Sequence, residues 1–241
     1  MRKNSLTAGV ARVDITPPVG FRMQGAMRRT EGATGVESPL LASALVLSDE
    51  NLKLIILDCD LIGFDIALAN EIRGRIGEKI NISADNVFLG CTHTHNGPCT
   101  ARGVLGGVHD VGGESWEIGE LDAYIGNLVS QLAGLSQMAD QQRQPARACG
   151  GEGTAGVAVN REEVDSTGKT FVGRNPNGVT DHSVPVLRID DLVGNPIAVL
   201  TGYACHPVSM GYEIYELTPD FPGVVRRVVE RATGATCLYL T

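Results

Sequence analysis

The stretch "LKLIILDCD", residues 52–60, is nearly continuous in apolar residues before its aspartates. A run of this kind marks a central strand buried on both faces. With the apolar segment 42–48 and the polar turn Asp49-Glu50-Asn51, it predicts a hairpin. Upstream, "AGVARVDITPPVG" predicts a strand closed by Pro17 and Pro18, because proline has no N–H to offer a ladder. Downstream, Ile66, Ala69, Ile72, Ile76 and Ile80 keep a helical spacing, and "NISADNVFLGCTHTH" follows as turn and strand. A strand–helix–strand unit of this kind makes a parallel pair with a right-handed crossover.

Residues 21–38 and the glycine-bearing stretch 96–119 show no period and are predicted as loops, the second long enough to be functional. A second helix is predicted over 120–142, where Leu121, Ile125, Leu128, Leu132 and Leu135 line one face. "ARACGGEGTAGVAVNRE" reads as strand material with a glycine break. Residues 183–205 read as a hairpin turning at Gly194-Asn195, its second strand running from Ile197 to Cys205 and ending at His206-Pro207. A third helix over 219–234 carries Pro222 in its first turn, and "ATCLYLT" opens a further strand. The order predicts an α/β fold, a mixed β-sheet flanked by helices, without a linker that would split it. An apolar strand is a poor terminus, so residues 1–241 are read as the N-terminal part of a single catalytic domain that continues further.

Composition narrows the class. The chain has 241 residues, 43% hydrophobic and 20% charged, the profile of a soluble globular protein. Its formal charge of −8 excludes nucleic acid as partner, since such binding depends on Lys and Arg neutralising phosphates. The doublets Arg28-Arg29 and Arg226-Arg227 are read as solvated surface. None of the six cysteines forms C-x-x-C, which argues against a zinc finger or thioredoxin-like motif. Cys59, Cys91, Cys205 and Cys237 sit in apolar stretches as small hydrophobes. No run reaches the length of a membrane span, and the basic start lacks the apolar region of a signal peptide. The visible sequence therefore reads as cytoplasmic. There is no G-x-S-x-G elbow, no P-loop and no G-x-G-x-x-G.

The candidate chemistry lies at strand ends. His93 and His95 share a face if their strand continues through them, and imidazole suits Zn²⁺. The competing reading is two hydrogen-bonded histidines capping a strand. His206, also placed at a strand end and followed by proline, favours the metal. His109 and His182 are expected at the surface or behind the site. Asp58 and Asp60 alternate onto one face. They would bind a cation or hold a ligating histidine, against a solvated strand end for Asp58. Arg161, expected just after a strand, would face an anionic group or a developing oxyanion, against plain surface. Asp220 is expected as a helix N-cap.

Six segments occur in one order: "AGVARVDITPPVG", "LDCDLIG", "NVFLGCTHTHNGP", "VNRE", "ACHPVSM" and "TPDFPG". In this the chain resembles the neutral/alkaline non-lysosomal ceramidases and their shorter bacterial relatives, over nearly its whole length. Asn96 stands where that family usually has serine. The resemblance implies a zinc-dependent amidase that splits N-acylsphingosine into sphingosine and fatty acid. It implies zinc ligands at His93 and His206, a histidine beside the metal at His95, and an arginine near the scissile amide at Arg161. It places the remaining Glu and Tyr ligands, and a reaction-centre serine, beyond Thr241. Cys91 and Cys99 are then bystanders. It also implies a lipid or small-molecule amide as partner, compatible with transient contact at a membrane surface, and export as the alternative location. The oligomeric state is left open. Hydrolysis of another amide, ester or phosphate ester, or a non-catalytic relative, is the alternative function.

Overall fold

The computed structural model describes residues 6–26, 29, 31–100 and 115–241. In chain order the main elements are β1 (Thr7–Asp14), β2 (Leu41–Ser48), β3 (Lys53–Cys59), α1 (Ile66–Ile80), β4 (Val87–Cys91) and α2 (Ser115–Gln141). They continue as β5 (Gln144–Thr154), β6 (Asn160–Val164), β7 (Thr170–Asn175), β8 (Ser183–Asp191), β9 (Pro196–Gly202), α3 (Asp220–Thr233) and β10 (Thr236–Leu240). Eight strands make one sheet in the order β10-β9-β8-β5-β1-β2-β3-β4. The pairs β3/β4 and β9/β10 are parallel and the others antiparallel. Strands β6 and β7 form a separate hairpin. The α/β fold with a mixed sheet and flanking helices is as the pattern predicts.

The sheet is two halves joined at a narrow corner. Strand β1 meets β5 only at Thr7↔Pro145 and Ala8↔Gln144. Beyond it the second half folds back over the first. Ala8 and Leu45 of the first half share a core with Ala146, Ile189, Ala198 and Leu238 of the second. Gly90 of β4 permits the approach, for a Cβ there would lie 2.7 Å from the Leu240 side chain. The opposite face of the first half carries the larger core. There Ala44, Val46, Ile55 and Leu57 pack with Leu68, Ile72 and Ile76 of α1 and Leu128 and Leu132 of α2. The alternation along β2 and β3 feeds two cores at once, which is why these strands read as continuously apolar.

Helix α1 starts at Asp65, whose carboxylate accepts from Leu68 N, and ends at Asn81 in the left-handed region. Helix α3 packs against β10 and reaches the first half-sheet, where its Glu230 pairs with Arg12 at 2.6 Å. No helix of the described residues is long and apolar enough to cross a membrane.

Several boundaries differ from the predicted ones. Helix α2 begins at Ser115, inside the predicted loop, and residues 101–114 of that loop lie outside the described residues, His109 with them. Strand β9 ends at Gly202, not Cys205, because the chain turns there with Cys205 N donating to Tyr203 O. His206 therefore sits in a loop four residues past the strand. Arg161 lies within β6 and not after a strand.

Candidate functional site

The site lies at the C-terminal ends of the parallel strands β3 and β4, the edge where open α/β sheets gather ligands. Strand β4 stops at Cys91, and His93 takes a left-handed conformation with φ 61°. The strand does not run through the two histidines, so their convergence does not come from alternation. It comes from main-chain anchors. Thr92 N donates to Cys59 O and His93 N to Leu61 O. His93 Nδ1 donates to Ile62 O at 2.7 Å, and His95 Nδ1 donates to Gly25 O at 2.7 Å. A carbonyl oxygen only accepts, so both Nδ1 atoms carry a proton, and in the neutral form of either ring the lone pair lies on Nε2. Gly25 cannot be replaced: its φ is 113°, and a Cβ there would lie 2.7 Å from His95 Cα and Cβ.

His206 completes the cluster from the second half of the sheet. One ligand atom from each of His93, His95 and His206 lies within 4.8 Å of the others. Its Nε2 is 2.7 Å from His95 Nε2. Because His95 Nε2 is bare, the proton in that contact belongs to His206 and is given up before Nε2 takes a cation. Two imidazoles on one tetrahedral zinc, at about 2.0–2.1 Å each, would stand roughly 3.3 Å apart. His95 and His206 are closer than co-ligands sit, whereas His93 and His206 meet edge to face with centroids 4.7 Å apart. Burial, then the charge of Arg161 and the other two imidazoles, lowers the His206 pKa to about 4. Burial also lowers that of His95, with smaller contributions from His93, Arg29 and Arg161. Both shifts favour the neutral ring at His95 and His206, the form that binds metal.

Of the predicted residues, the structure brings His93, His95 and His206 together. It sets Arg161 near enough for its charge to act on His95 and His206. Tyr203 fixes the approach to β6, with its hydroxyl donating to Ala155 O at 2.8 Å and accepting from Ala158 N at 3.0 Å. His182 is exposed and bonded to Ala155 O and Thr180, away from the cluster.

The aspartates are not where a histidine could use them. Asp58 and Asp60 are both fully buried, so the solvated strand end expected for Asp58 is wrong. The cation they bind is Arg226: Nη1 donates to Asp58 Oδ2 at 3.2 Å and to Asp60 Oδ1 at 2.8 Å, and Nη2 to Asp60 Oδ2. Asp60 also takes Thr92 Oγ1 at 3.2 Å and Leu41 N at 2.8 Å, which steadies the residue before His93. Arg226 is 2% exposed, as is Arg29, so for these two residues the surface reading of the doublets is overturned. Arg28 lies outside the described residues. Asp220 is the first helical residue of α3, with Pro219 at the cap position. Its carboxylate holds the loop after His206 through Ser209 Oγ at 2.5 Å and Met210 N at 3.1 Å.

The neutral/alkaline non-lysosomal ceramidase N-terminal family model matches residues 6–237. The chain belongs to this family. A neutral ceramidase of Drosophila pseudoobscura pseudoobscura is 24% identical over 249 residues, covering 92% of this chain and 32% of that protein. Among solved structures, a ceramidase complexed with C2 superposes with a TM-score of 0.77 at 20% identity, over 98% of this chain and 37% of the other. The neutral ceramidase from Pseudomonas aeruginosa gives 0.76 at 19% identity, over 98% and 38%. The chain thus spans about a third of the length of these relatives. At such identities the superpositions establish the fold alone. The histidines, Arg161 and the buried aspartates all fall inside the matched range.

Motif reasoning missed Arg29, Arg226 and Tyr212, whose ring centroid is 6.2 Å from that of His95. Only Arg226 left a signal: it lies three and four residues after Gly223 and Pro222, on the buried face of α3.

Proposed function

We propose that the full protein is a zinc-dependent hydrolase of linear amide bonds, ceramidase-like, acting on an N-acyl lipid. The observation that carries this reading is the convergence of three imidazoles, two with Nδ1 pinned to carbonyls so that Nε2 faces the centre. That donor set suits zinc, and His93 with His206 would hold it. Bound zinc would supply a Lewis acid for the amide carbonyl and a water acidified toward a pKa of about 7. His95 takes a proton at Nε2, its Nδ1–H fixed on Gly25 O so that the ring keeps its orientation. Arg161, the cation next to these rings, steadies negative charge on the carbonyl oxygen.

The test is metal analysis of the full protein with parallel assays of N-acyl lipids and phosphate esters. Bound zinc and release of fatty acid in preference to phosphate are expected. The His93→Ala protein should lose both metal and turnover. Absence of zinc, or unchanged turnover in His93→Ala, overturns the proposal.

A further inference from the structure

Arg29 is a buried cation with no role in the chemistry above. Its guanidinium reaches main-chain carbonyls on two sides. Toward the site, Nη1 donates to His95 O and, at 3.5 Å, to Gln24 O. Toward the loop after His206, Nε donates to Tyr212 O at 3.1 Å, and Nη2 to Ile214 O at 2.8 Å and Gly211 O at 3.4 Å. The Tyr215 ring lies 5.7 Å from the guanidinium carbon. Ile214 O is shared with Asn96 Nδ2 at 3.1 Å. A planar fork of five N–H donors suits this divergent task, and a lysine ammonium does not.

What the fork joins has a direction. On one side is the main chain of His95, whose side chain stands in the cluster. On the other is the segment 211–215, and Tyr212 in it is half exposed with its ring beside the His95 imidazole. Asp220 holds the start of this loop separately, through Ser209 and Met210. Among the described residues, without Arg29 the stretch from Gly211 to Ile214 keeps the Asn96 hydrogen bond to the site and the ring contact of Tyr212 with His95.

We propose that Arg29 is a positioning residue that latches segment 211–215 onto the His95 main chain and so fixes Tyr212 as an apolar wall beside the imidazole, where it selects the hydrocarbon part of the substrate. This rests on the amide-hydrolase reading above. The latch itself does not.

Hydrogen–deuterium exchange and steady-state kinetics on the full protein test the two halves of this inference. In Arg29→Gln, amide exchange should rise at least about tenfold in residues 211–215 and near 95–96, with 41–59 unchanged. KM for a long-chain N-acyl amide should rise about tenfold with kcat within roughly threefold, since a wall that only binds acts on ground and transition states alike. Arg29→Lys should recover part of the KM. Tyr212→Ala, at a half-exposed position that tolerates truncation, should raise KM to a similar degree and leave exchange at 95–96 as in the parent. Unchanged exchange in 211–215, exchange rising evenly along the chain, a fall confined to kcat, or an unaltered KM in Tyr212→Ala overturns the proposal. A parent protein that cleaves no N-acyl amide defeats the functional reading, while the exchange result still decides the latch.

Discussion

Two polar clusters stand at the ends of adjacent parallel strands, the first fully buried and the second partly buried. Asp58 and Asp60 close β3, and the histidines follow β4, with Cys59 and Cys91 in register between them. In the first cluster opposite charges meet: two carboxylates share one guanidinium, which offsets one of their two charges inside the protein. In the second, three imidazoles turn their lone pairs or protons toward one another, with a further cation, Arg161, nearby. Their anchors are carbonyls behind the rings, and no anion faces them among the described contacts. The first cluster meets its burial cost by ion pairing, whereas the second has a geometry that could hold a cation. A motif of two aspartates and a motif of two histidines look equally functional as sequence, yet what lies opposite each group separates them.

That contrast predicts opposite consequences of removal. Arg226→Met leaves two uncompensated buried carboxylates and should cost about 3–5 kcal/mol, read as a lower urea midpoint with m unchanged. His93→Ala, measured in the presence of chelator, should cost less than about 1 kcal/mol while zinc affinity falls by more than about 100-fold, beyond the loss typical of groups that merely support a ligand. A stable Arg226→Met protein, or a His93→Ala protein that unfolds without losing metal, would erase the distinction.

A smaller effect sharpens it. Burial, opposed by Arg226 and reinforced by Asp60, raises the Asp58 pKa to about 6. Its Oδ1 is buried with no hydrogen-bond partner among the described residues, and that is where the proton would sit. The folded pKa then exceeds the ordinary 3.8. Between the two values the folded protein binds more protons than the unfolded chain, so stability falls as pH rises through that window. The slope should reach at most about 1.4 kcal/mol per pH unit and vanish in Asp58→Asn, which carries no titrating proton. Urea titrations of both proteins at about pH 4.5 and about pH 6.5 give the comparison; a slope that survives in Asp58→Asn places the titration elsewhere.

The same contrast explains what was legible in the sequence. The hairpin β2–β3, the unit β3–α1–β4 and the helix α3 follow from apolar spacing, because local periodicity and burial agree there. The three histidines that the structure brings together stand out by residue type, though two structural premises behind them do not hold. His93 is not in a strand, and His206 is not at a strand end. Main-chain turns at 92–93 and 203–205 place the rings, and no periodicity encodes them. Arg226 was misjudged because an arginine doublet was read alone, without the helical face it occupies or the two aspartates 166 and 168 residues away in sequence. Arg29 gave no signal, since residues 21–38 carry no period and its partners are carbonyls, which every residue has.

The smallest expected effect concerns the link between the two halves of the site. Arg161 arrives on a hairpin whose root, residues 155–158, is held by the Tyr203 hydroxyl at Ala155 O and Ala158 N, and by His182 at Ala155. The Tyr203 ring is 7% exposed, and its main-chain carbonyl in turn accepts from Tyr239 Oη at 3.2 Å. Tyr203→Phe keeps the ring in place and removes both hydroxyl bonds, leaving Ala155 O to His182 and Ala158 N to solvent on a partly exposed loop. The cost should therefore be near the ordinary worth of such bonds, about 1 kcal/mol. If Arg161 steadies charge that develops during reaction, kcat should fall several-fold as the hairpin loosens while zinc affinity stays as in the parent, because His206 lies beyond the turn that the ring still fixes. Calorimetric zinc titration beside the kinetics decides this. A loss of zinc affinity in step with kcat would mean that Tyr203 serves His206, and that the two halves of the site are built as one unit.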